Sequence, residues 1–177
     1  MRLFITINFD EQTKQNIVSV QQQLKKFARG NFSHAENLHL TLAFLGEVHP
    51  NRVDDIKQAM NITEISPLTL TFDHVNFFKR NDGDLWWIGL AENKTLLDMQ
   101  QKLCSHLSDA GFILENRRFS PHITLARKVR LHQNPNYDSL LDTCFKTDTD
   151  AISLMRSERI NGKLTYTEQY RVIANAE

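Results

Sequence analysis

Two short segments of the chain carry the same chemical pair. Each has a histidine and a threonine two positions apart, His39 with Thr41 and His122 with Thr124, and aliphatic residues alternate with them. In a β-strand alternate side chains share a face, so each histidine would stand beside its threonine while the aliphatic residues point into a core. Two such strands facing one cleft would supply two imidazoles and two hydroxyls. That set could hold a phosphate and move protons on both sides of it.

Hydrolysis of a five-membered cyclic phosphodiester fits this set of groups. The reaction needs a base to activate water and an acid to protonate the departing alkoxide on the opposite face. Imidazole suits both roles, because its unperturbed pKa of about 6.5 lets one ring be neutral and the other charged at neutral pH. Each threonine hydroxyl could donate to a non-bridging phosphate oxygen, where negative charge grows in the transition state.

Arg127, five residues after His122, would add a bidentate clamp on the phosphate. Simple alternation along a strand puts it on the wrong face, so the clamp requires a strand end or a bulge. Phe44 stands at the matching position after His39, which makes the two halves chemically unequal. That inequality would give the two histidines different tasks.

The surroundings of the two motifs repeat as well. A shift of 83 residues lays His39 on His122 and also lays residues 3–7 on residues 86–90, both of which have strand composition. A helical pattern separates each early strand from its histidine strand. Asp10 and Asn93 are predicted to cap these helices at their N-termini. We interpret the repeat as two diverged copies of a strand–helix–strand unit with a pseudo-symmetric site between them.

Hydrophobic periodicity and turn residues predict the full order of elements. The order is strand 2–8, helix 10–28, strand 38–46, helix 50–61, strand 67–78, strand 85–91, helix 94–110, strand 120–128, strand 150–160 and strand 164–174. Gly30 stands where the first helix would end. The segment 129–149 is predicted as a long loop, either a lid or binding loop or a solvated excursion. The fold class is therefore α+β and bilobal, with two mainly antiparallel sheets facing a central cleft and helices outside.

Length, charge and composition narrow the functional class. The 177 residues contain no linker between independent units, so we expect one bilobal domain over 1–177. The 21 basic and 21 acidic residues give zero net charge, which favours an RNA terminus or a small nucleotide over a long polymer as partner. No apolar stretch approaches the roughly 18 residues of a membrane span. With only Cys104 and Cys144, a disulfide framework is not expected. We expect a cytoplasmic monomer without an obligate protein partner.

Each candidate residue also has a plainer interpretation. The histidines could be buried and hydrogen-bonded, the threonines could be β-formers facing solvent, and Arg127 could be a surface charge. Neither motif offers a second ligand at metal spacing, so no metal or other cofactor is expected. Phe9 is a candidate for stacking on a base, as is the pair Trp86-Trp87, although such aromatics are more often core or rim residues.

The extended motifs resemble a known superfamily. Residues 37–48 (NLHLTLAFLGEV) and 119–127 (FSPHITLAR), with residues 2–5 (RLFI), resemble the two-histidine (2H) phosphoesterases, in particular the bacterial and archaeal RNA 2′,3′-cyclic phosphodiesterases once described as 2′-5′ RNA ligases. The resemblance runs from residue 2 to about residue 172. The residues that resemble that family's final hairpin are Ser153, Ser157, Gly162 and Tyr166.

The resemblance implies a V-shaped cleft, metal-independent catalysis and conversion of RNA or nucleoside 2′,3′-cyclic phosphate ends to 2′-phosphates. A weak reverse 2′-5′ ligation is implied as well. Carried onto this sequence, His39 is the proton donor to the leaving 3′ oxygen and His122 the proton acceptor, while Thr41, Thr124 and Arg127 hold the phosphate. Near-symmetry leaves the reverse assignment of the histidines open.

Two other functions compete with this interpretation. One is a 2′,5′-oligonucleotide or small cyclic-nucleotide phosphodiesterase, which the identity of the product would separate. The other is a non-catalytic RNA-end or nucleotide-binding module on the same scaffold. The presence of both histidines and both threonines argues against a binding module that has lost its chemistry.

Overall fold

The two histidine strands belong to two different antiparallel sheets. A computed structural model describes residues 1–175, which form nine strands and four α-helices. The strands are β1 (Arg2–Asn8), β2 (Ala28–Phe32), β3 (His39–Glu47), β4 (Leu68–Phe78), β5 (Asp84–Leu90), β6 (His122–Leu131), β7 (Phe145–Thr149), β8 (Ala151–Ile160) and β9 (Lys163–Ile173). The helices are α1 (Glu11–Lys25), α2 (Val53–Ile62), α3 (Lys94–Asp109) and α4 (Tyr137–Leu140).

The strand order confirms the predicted fold class. The first sheet has the order β3-β1-β8-β9 and the second the order β2-β6-β5-β4-β7. In each sheet the motif strand pairs antiparallel with the early strand of its own copy, β3 with β1 and β6 with β5. The duplicated unit thus gives two equivalent strand pairs, one in each lobe, with the helices on the outer faces.

The two long helices cross between the copies. Helix α1, which follows β1, packs against β2, β6 and β7 of the second sheet, whereas α3, which follows β5, packs against β3 of the first sheet. Both helices begin at the predicted caps, where Asp10 accepts a hydrogen bond from the Thr13 amide at 2.8 Å and Asn93 accepts one from the Leu96 amide at 3.0 Å. Because each copy covers the other, the lobes share one continuous apolar core. Its buried helical residues include Ile17, Val20, Leu96, Met99, Leu103 and Leu107.

The predicted end of the first helix is wrong. Helix α1 ends at Lys25, and Ala28 starts the edge strand β2, which pairs with β6. Gly30 is therefore a strand residue, not a helix terminus. An added Cβ there would lie 3.0 Å from both the Arg127 carbonyl oxygen and a Val129 methyl, so a larger residue would push β2 away from β6.

The long loop predicted over 129–149 is also wrong. Strand β6 continues to Leu131, α4 packs against α1, and β7 pairs with β4 at the edge of the second sheet. No residue between 129 and 149 lines the cleft in this structure. Across residues 1–175, no helix combines the length and apolar composition that crossing a bilayer would need.

Candidate active site

A β-bulge follows the threonine in each motif strand. In β3, Thr41 pairs with Thr6 and Ala43 pairs with Ile5, which leaves Leu42 as an extra residue. An extra residue reverses the alternation of side chains beyond it. Phe44 therefore returns to the face of Thr41, and 42% of its surface is exposed.

The second motif strand has the equivalent bulge. Thr124 pairs with Trp87 and Ala126 pairs with Trp86, so Leu125 is the extra residue in β6. Arg127 consequently lies on the cleft face with Thr124, and it lines the same cavity. The bulge needed to bring Arg127 to the phosphate side of the strand is present, and it places the Arg127 side chain on the same face as Thr124.

Each bulged carbonyl accepts a hydrogen bond from a glutamine of the other copy's helix. The amide Nε2 of Gln21 in α1 donates to the carbonyl oxygens of Leu125 and Ser33, both at 2.9 Å. Gln100 in α3 likewise donates to the Leu42 carbonyl at 3.0 Å. The Leu125 carbonyl also accepts the Ser33 backbone N–H at 3.0 Å, so Gln21 gives it a second hydrogen bond and ties the bulge to α1.

We expect Gln21→Leu to destabilise the protein by about 1–3 kcal/mol, because it removes two hydrogen bonds worth about 0.5–1.5 kcal/mol each. Gln21 is only 4% exposed, so water cannot replace the amide without entering the core. Urea unfolding measures the change in free energy, and Gln22→Leu at the neighbouring exposed position is the matched control. Equal stabilities of the two variants would show that the amide does not hold the bulge.

Backbone carbonyls orient both imidazoles. Nδ1 of His39 donates to the Asn37 carbonyl at 2.7 Å, and Nδ1 of His122 donates to the Ser120 carbonyl at the same distance. A carbonyl only accepts, so each Nδ1 carries a proton and the neutral ring leaves Nε2 with a lone pair. Nε2 of His39 accepts a hydrogen bond from the Thr41 hydroxyl at 2.9 Å. In both halves the reactive nitrogen is Nε2.

Aromatic rings fix the first imidazole from two sides. Phe4 lies 5.2 Å from His39 between ring centroids, and Tyr166 meets the same ring edge-on at 5.3 Å. Burial raises the pKa of Tyr166, so its hydroxyl keeps its proton at neutral pH. Tyr166 lines the cleft, yet the sequence pointed to it only through the resemblance of the final hairpin.

The second imidazole has a matching pair of aromatic neighbours. Trp87 lies 5.6 Å and Phe78 5.4 Å from His122. Trp87 is the counterpart of Phe4 under the shift of 83 residues. The repeat therefore extends to the side chains that hold the imidazoles in place.

Both motifs open into one cavity of about 960 Å³ between the two sheets. Its lining brings together the five residues predicted to transfer protons or hold the phosphate, namely His39, Thr41, His122, Thr124 and Arg127. Two further arginines in the lining already have internal partners. Arg156 lies 3.4 Å from the Glu158 carboxylate, and Arg159 donates to the Gly162 carbonyl.

Phe9 is not at this site, which corrects the prediction that it stacks on a base. It is 7% exposed and packs edge-on against Phe72 in the core, with 5.6 Å between ring centroids. Trp86 is completely buried as well, and Trp87 is a support for His122 rather than an open stacking surface. Phe44, by contrast, lines the cleft, with the Arg2 guanidinium 5.1 Å above its ring.

The surroundings lower the pKa of both histidines. Burial is the largest cause, because removing water disfavours the charged ring, and the hydrogen bonds to the Asn37 and Ser120 carbonyls only partly offset it. Arg127 lines the same cavity as both rings, and its positive charge lowers both pKa values further. Both imidazoles are therefore neutral in the empty cleft at neutral pH.

An NMR titration of the imidazole C–H signals tests this electrostatic account. We expect both rings to titrate below the ordinary value of 6.5, and Arg127→Ala to raise both pKa values because it removes a nearby positive charge. Arg117→Gln should raise the pKa of His122 alone, since the charge of Arg117 acts only on that ring. Titration of either ring above 6.5 in the empty protein would contradict the account.

The donor groups at the cleft are imidazoles, hydroxyls and a guanidinium, which serve proton transfer and anion binding. Within residues 1–175, no group of three or more His, Cys, Asp and Glu side chains converges as a metal site requires. The arrangement suits acid–base chemistry on a phosphate held between two imidazoles.

Comparisons with known proteins point to the same chemistry. The family model described as LigT-like phosphoesterase matches the chain twice, over residues 7–87 and 88–166. The RNA 2′,3′-cyclic phosphodiesterase of Thermotoga maritima is 31% identical over 131 residues, covering 72% of this chain and 70% of that protein. That of Methanocaldococcus jannaschii is 33% identical over 130 residues, covering 72% and 71%.

Solved structures agree over nearly the whole length. The crystal structure of Escherichia coli LigT complexed with 3′-AMP superposes with a TM-score of 0.82 at 26% identity, and covers 99% of this chain and 98% of LigT. The two family matches divide the chain at residue 87, so that each half holds one histidine motif. The chain belongs to the LigT-like phosphoesterase family.

Proposed function

We propose that this protein hydrolyses the 2′,3′-cyclic phosphate at RNA ends, or on a nucleoside, to a 2′-phosphate. The observation that carries the proposal is the pair of imidazoles, each fixed through Nδ1, that open into one cleft with two threonines and Arg127. The relatives named RNA 2′,3′-cyclic phosphodiesterases support the choice of substrate. So does the binding of 3′-AMP by LigT, a structural neighbour.

In the proposed reaction His122 acts as the base and His39 as the acid. Nε2 of His122 takes a proton from water as the oxygen attacks phosphorus. The bond from phosphorus to the 3′ oxygen breaks, and Nε2 of His39 delivers its proton to that oxygen. The product keeps the phosphate on the 2′ oxygen, and the two proton transfers balance once the imidazoles exchange protons with solvent.

The threonines and Arg127 would stabilise the transition state. The hydroxyls of Thr41 and Thr124 donate to non-bridging oxygens, and the guanidinium of Arg127 offers two parallel donors. Thr41 would turn its hydroxyl from Nε2 of His39 to the phosphate, which frees that nitrogen to carry the acidic proton. A bound phosphate anion raises the pKa of both imidazoles, so the acid gains its proton when substrate enters.

The product of a single reaction tests the proposal. A short RNA ending in a 2′,3′-cyclic phosphate is incubated with the protein in excess chelator, and chromatography separates 2′- from 3′-phosphorylated product. We expect only the 2′-phosphate. A 3′-phosphate would mean that the opposite bond breaks, and turnover that needs an added metal ion would overturn the mechanism.

The same assay separates the competing functions. Preference for a 2′,5′-linked oligoadenylate or a 3′,5′-cyclic nucleotide would indicate the other phosphodiesterase class. Tight binding of the cyclic end without turnover would indicate a binding module. A 2′-phosphorylated or cyclic end mixed with a 5′-hydroxyl RNA tests for the weak reverse 2′-5′ ligation that reversibility implies.

We also propose that one chain acts alone, as a single bilobal domain in the cytoplasm. Both imidazoles, both threonines and Arg127 come from one copy of the chain, so the cleft needs no residue from a partner. The thiols of Cys104 and Cys144 are unpaired, as a reducing compartment would keep them.

A further inference from the structure

A row of arginines continues from the cleft toward the free edge of the second sheet. Arg127 lies opposite Asn31, and Arg130 lies opposite Arg29 on the edge strand β2. Between these two pairs β6 has one residue more than β2, and Lys128 there adopts the left-handed conformation with φ 53°. This second bulge of β6 reverses the alternation again.

The reversal puts all three arginines on one face. Arg130 follows Val129, which is buried on the helix side of the sheet, so the Arg130 side chain points to the opposite, cleft side. Arg29 lies two residues before Asn31 in β2, so its side chain is on the same face as Asn31, which lines the cleft. The three arginines thus form a continuous strip, which we call the arginine ladder: Arg127 at the cleft, with Arg130 and Arg29 beyond its rim.

The ladder is an unfavourable arrangement for the protein alone. Two like charges directly opposite each other in an antiparallel pair destabilise a sheet. Among residues 1–175, no carboxylate forms a salt bridge with any of the three arginines. The arginines of the first sheet differ, because Arg156 and Arg159 have partners within the protein. An anion from outside is the partner that the ladder lacks.

We propose that the arginine ladder binds the sugar–phosphate backbone of an RNA strand, on the 5′ side of its cyclic end. This inference rests on the proposed function, which places the terminal phosphate beside Arg127. Arg130 lies opposite Arg29, which is two residues along β2 from Asn31, so Arg130 is about 7 Å from Arg127 at roughly 3.3 Å per residue. Backbone phosphates preceding the terminal nucleotide therefore meet Arg130 and Arg29, while a mononucleotide does not reach them. The substrate class is an oligonucleotide end, read without regard to base.

The test compares Arg29→Gln/Arg130→Gln with Lys94→Gln/Lys102→Gln, which removes the same charge from exposed positions of α3 outside the cavity. Fluorescence anisotropy measures the affinity for an eight-nucleotide RNA with a 2′,3′-cyclic end over a range of salt concentrations. The ladder variant should bind about tenfold or more weakly, and its salt slope should fall by about 1.4, because each phosphate contact in single strands contributes about 0.7. The control variant should lose less than half as much.

Turnover gives a second readout. The ladder variant should hydrolyse a nucleoside 2′,3′-cyclic phosphate at the unmutated rate while its kcat/KM for the oligonucleotide falls about tenfold. Equal losses in both double variants, equal losses on both substrates, or an unchanged salt slope would each overturn the inference. Absence of any turnover by the unmutated protein would instead defeat the proposed function, and the binding measurement would still decide on the ladder.

Discussion

Replacing either His39 or His122 by alanine should lower kcat for a 2′,3′-cyclic end about 10²–10⁴-fold, since each variant loses one proton-transfer group. The KM should change little, because the threonines and Arg127 still hold the phosphate. Both side chains are partly exposed at the cleft, so their truncation leaves the core intact. Steady-state turnover in excess chelator measures the loss.

His132→Ala is the matched control, because that exposed histidine lies outside the cleft. It should retain the full rate. If either cleft variant kept more than about a tenth of the activity, its imidazole would not transfer a proton in the rate-limiting step.

Replacing Arg127 by alanine should lower kcat about 10²–10³-fold, the cost of removing a preorganised donor to the charge that develops in the transition state. Arg127→Lys should recover only part of the rate, because an ammonium is a point charge without the planar fork. The loss should appear on mononucleotide and oligonucleotide alike, since the clamp acts on the reacting phosphate. Turnover of both substrates is the measurement.

Lys128→Gln removes a charge from the next position in the strand and serves as the control. Its side chain is exposed outside the cavity, so the mononucleotide rate should not change. A comparable loss in both variants would mean that general positive charge, and not the clamp at the bulge, supports the reaction.

The repeated motif predicted the central feature of the fold. Two copies of a strand–helix–strand pattern predicted equivalent strand pairs, and β1 with β3 and β5 with β6 are those pairs. The bulge before Arg127 could be anticipated as well, because the clamp and the alternation of the strand were incompatible without it. The hydrogen bond from the Gln21 amide to the bulged carbonyl could not be anticipated, since Gln21 lies in the other copy's helix.

Features that depend on tertiary contacts could not be predicted from the sequence. The apolar stripe of α1 fits either sheet, so periodicity could not show that the helices cross between the copies. Phe27 extends the spacing of that stripe past Lys25, where the helix ends, because Ala28 already belongs to an edge strand. The five residues of β2 include a glycine and an exposed arginine and do not alternate between apolar and polar, so the sequence did not predict this strand.

The aromatic residues show the same limit. Phe9 follows a buried strand and was a candidate to face a ligand, but the chain turns it into the core against Phe72. Phe44, predicted only as the unlike counterpart of Arg127, faces the cleft because Leu42 forms a bulge. One inserted residue decides which side chains reach the substrate, and hydrophobicity patterns do not register it.

The division of labour between the two histidines is the central claim, and a sulfur substrate tests it most directly. In a 2′,3′-cyclic phosphate whose 3′ bridging oxygen is replaced by sulfur, the leaving group is a thiolate. Its conjugate thiol has a pKa of about 8.5, so the thiolate can leave without being protonated. We predict that His39→Ala hydrolyses this substrate nearly as fast as the unmutated protein, whereas His122→Ala stays as slow as on the oxygen substrate. Rescue of His122→Ala instead, or equal impairment of both variants on sulfur, would contradict the assignment of acid and base.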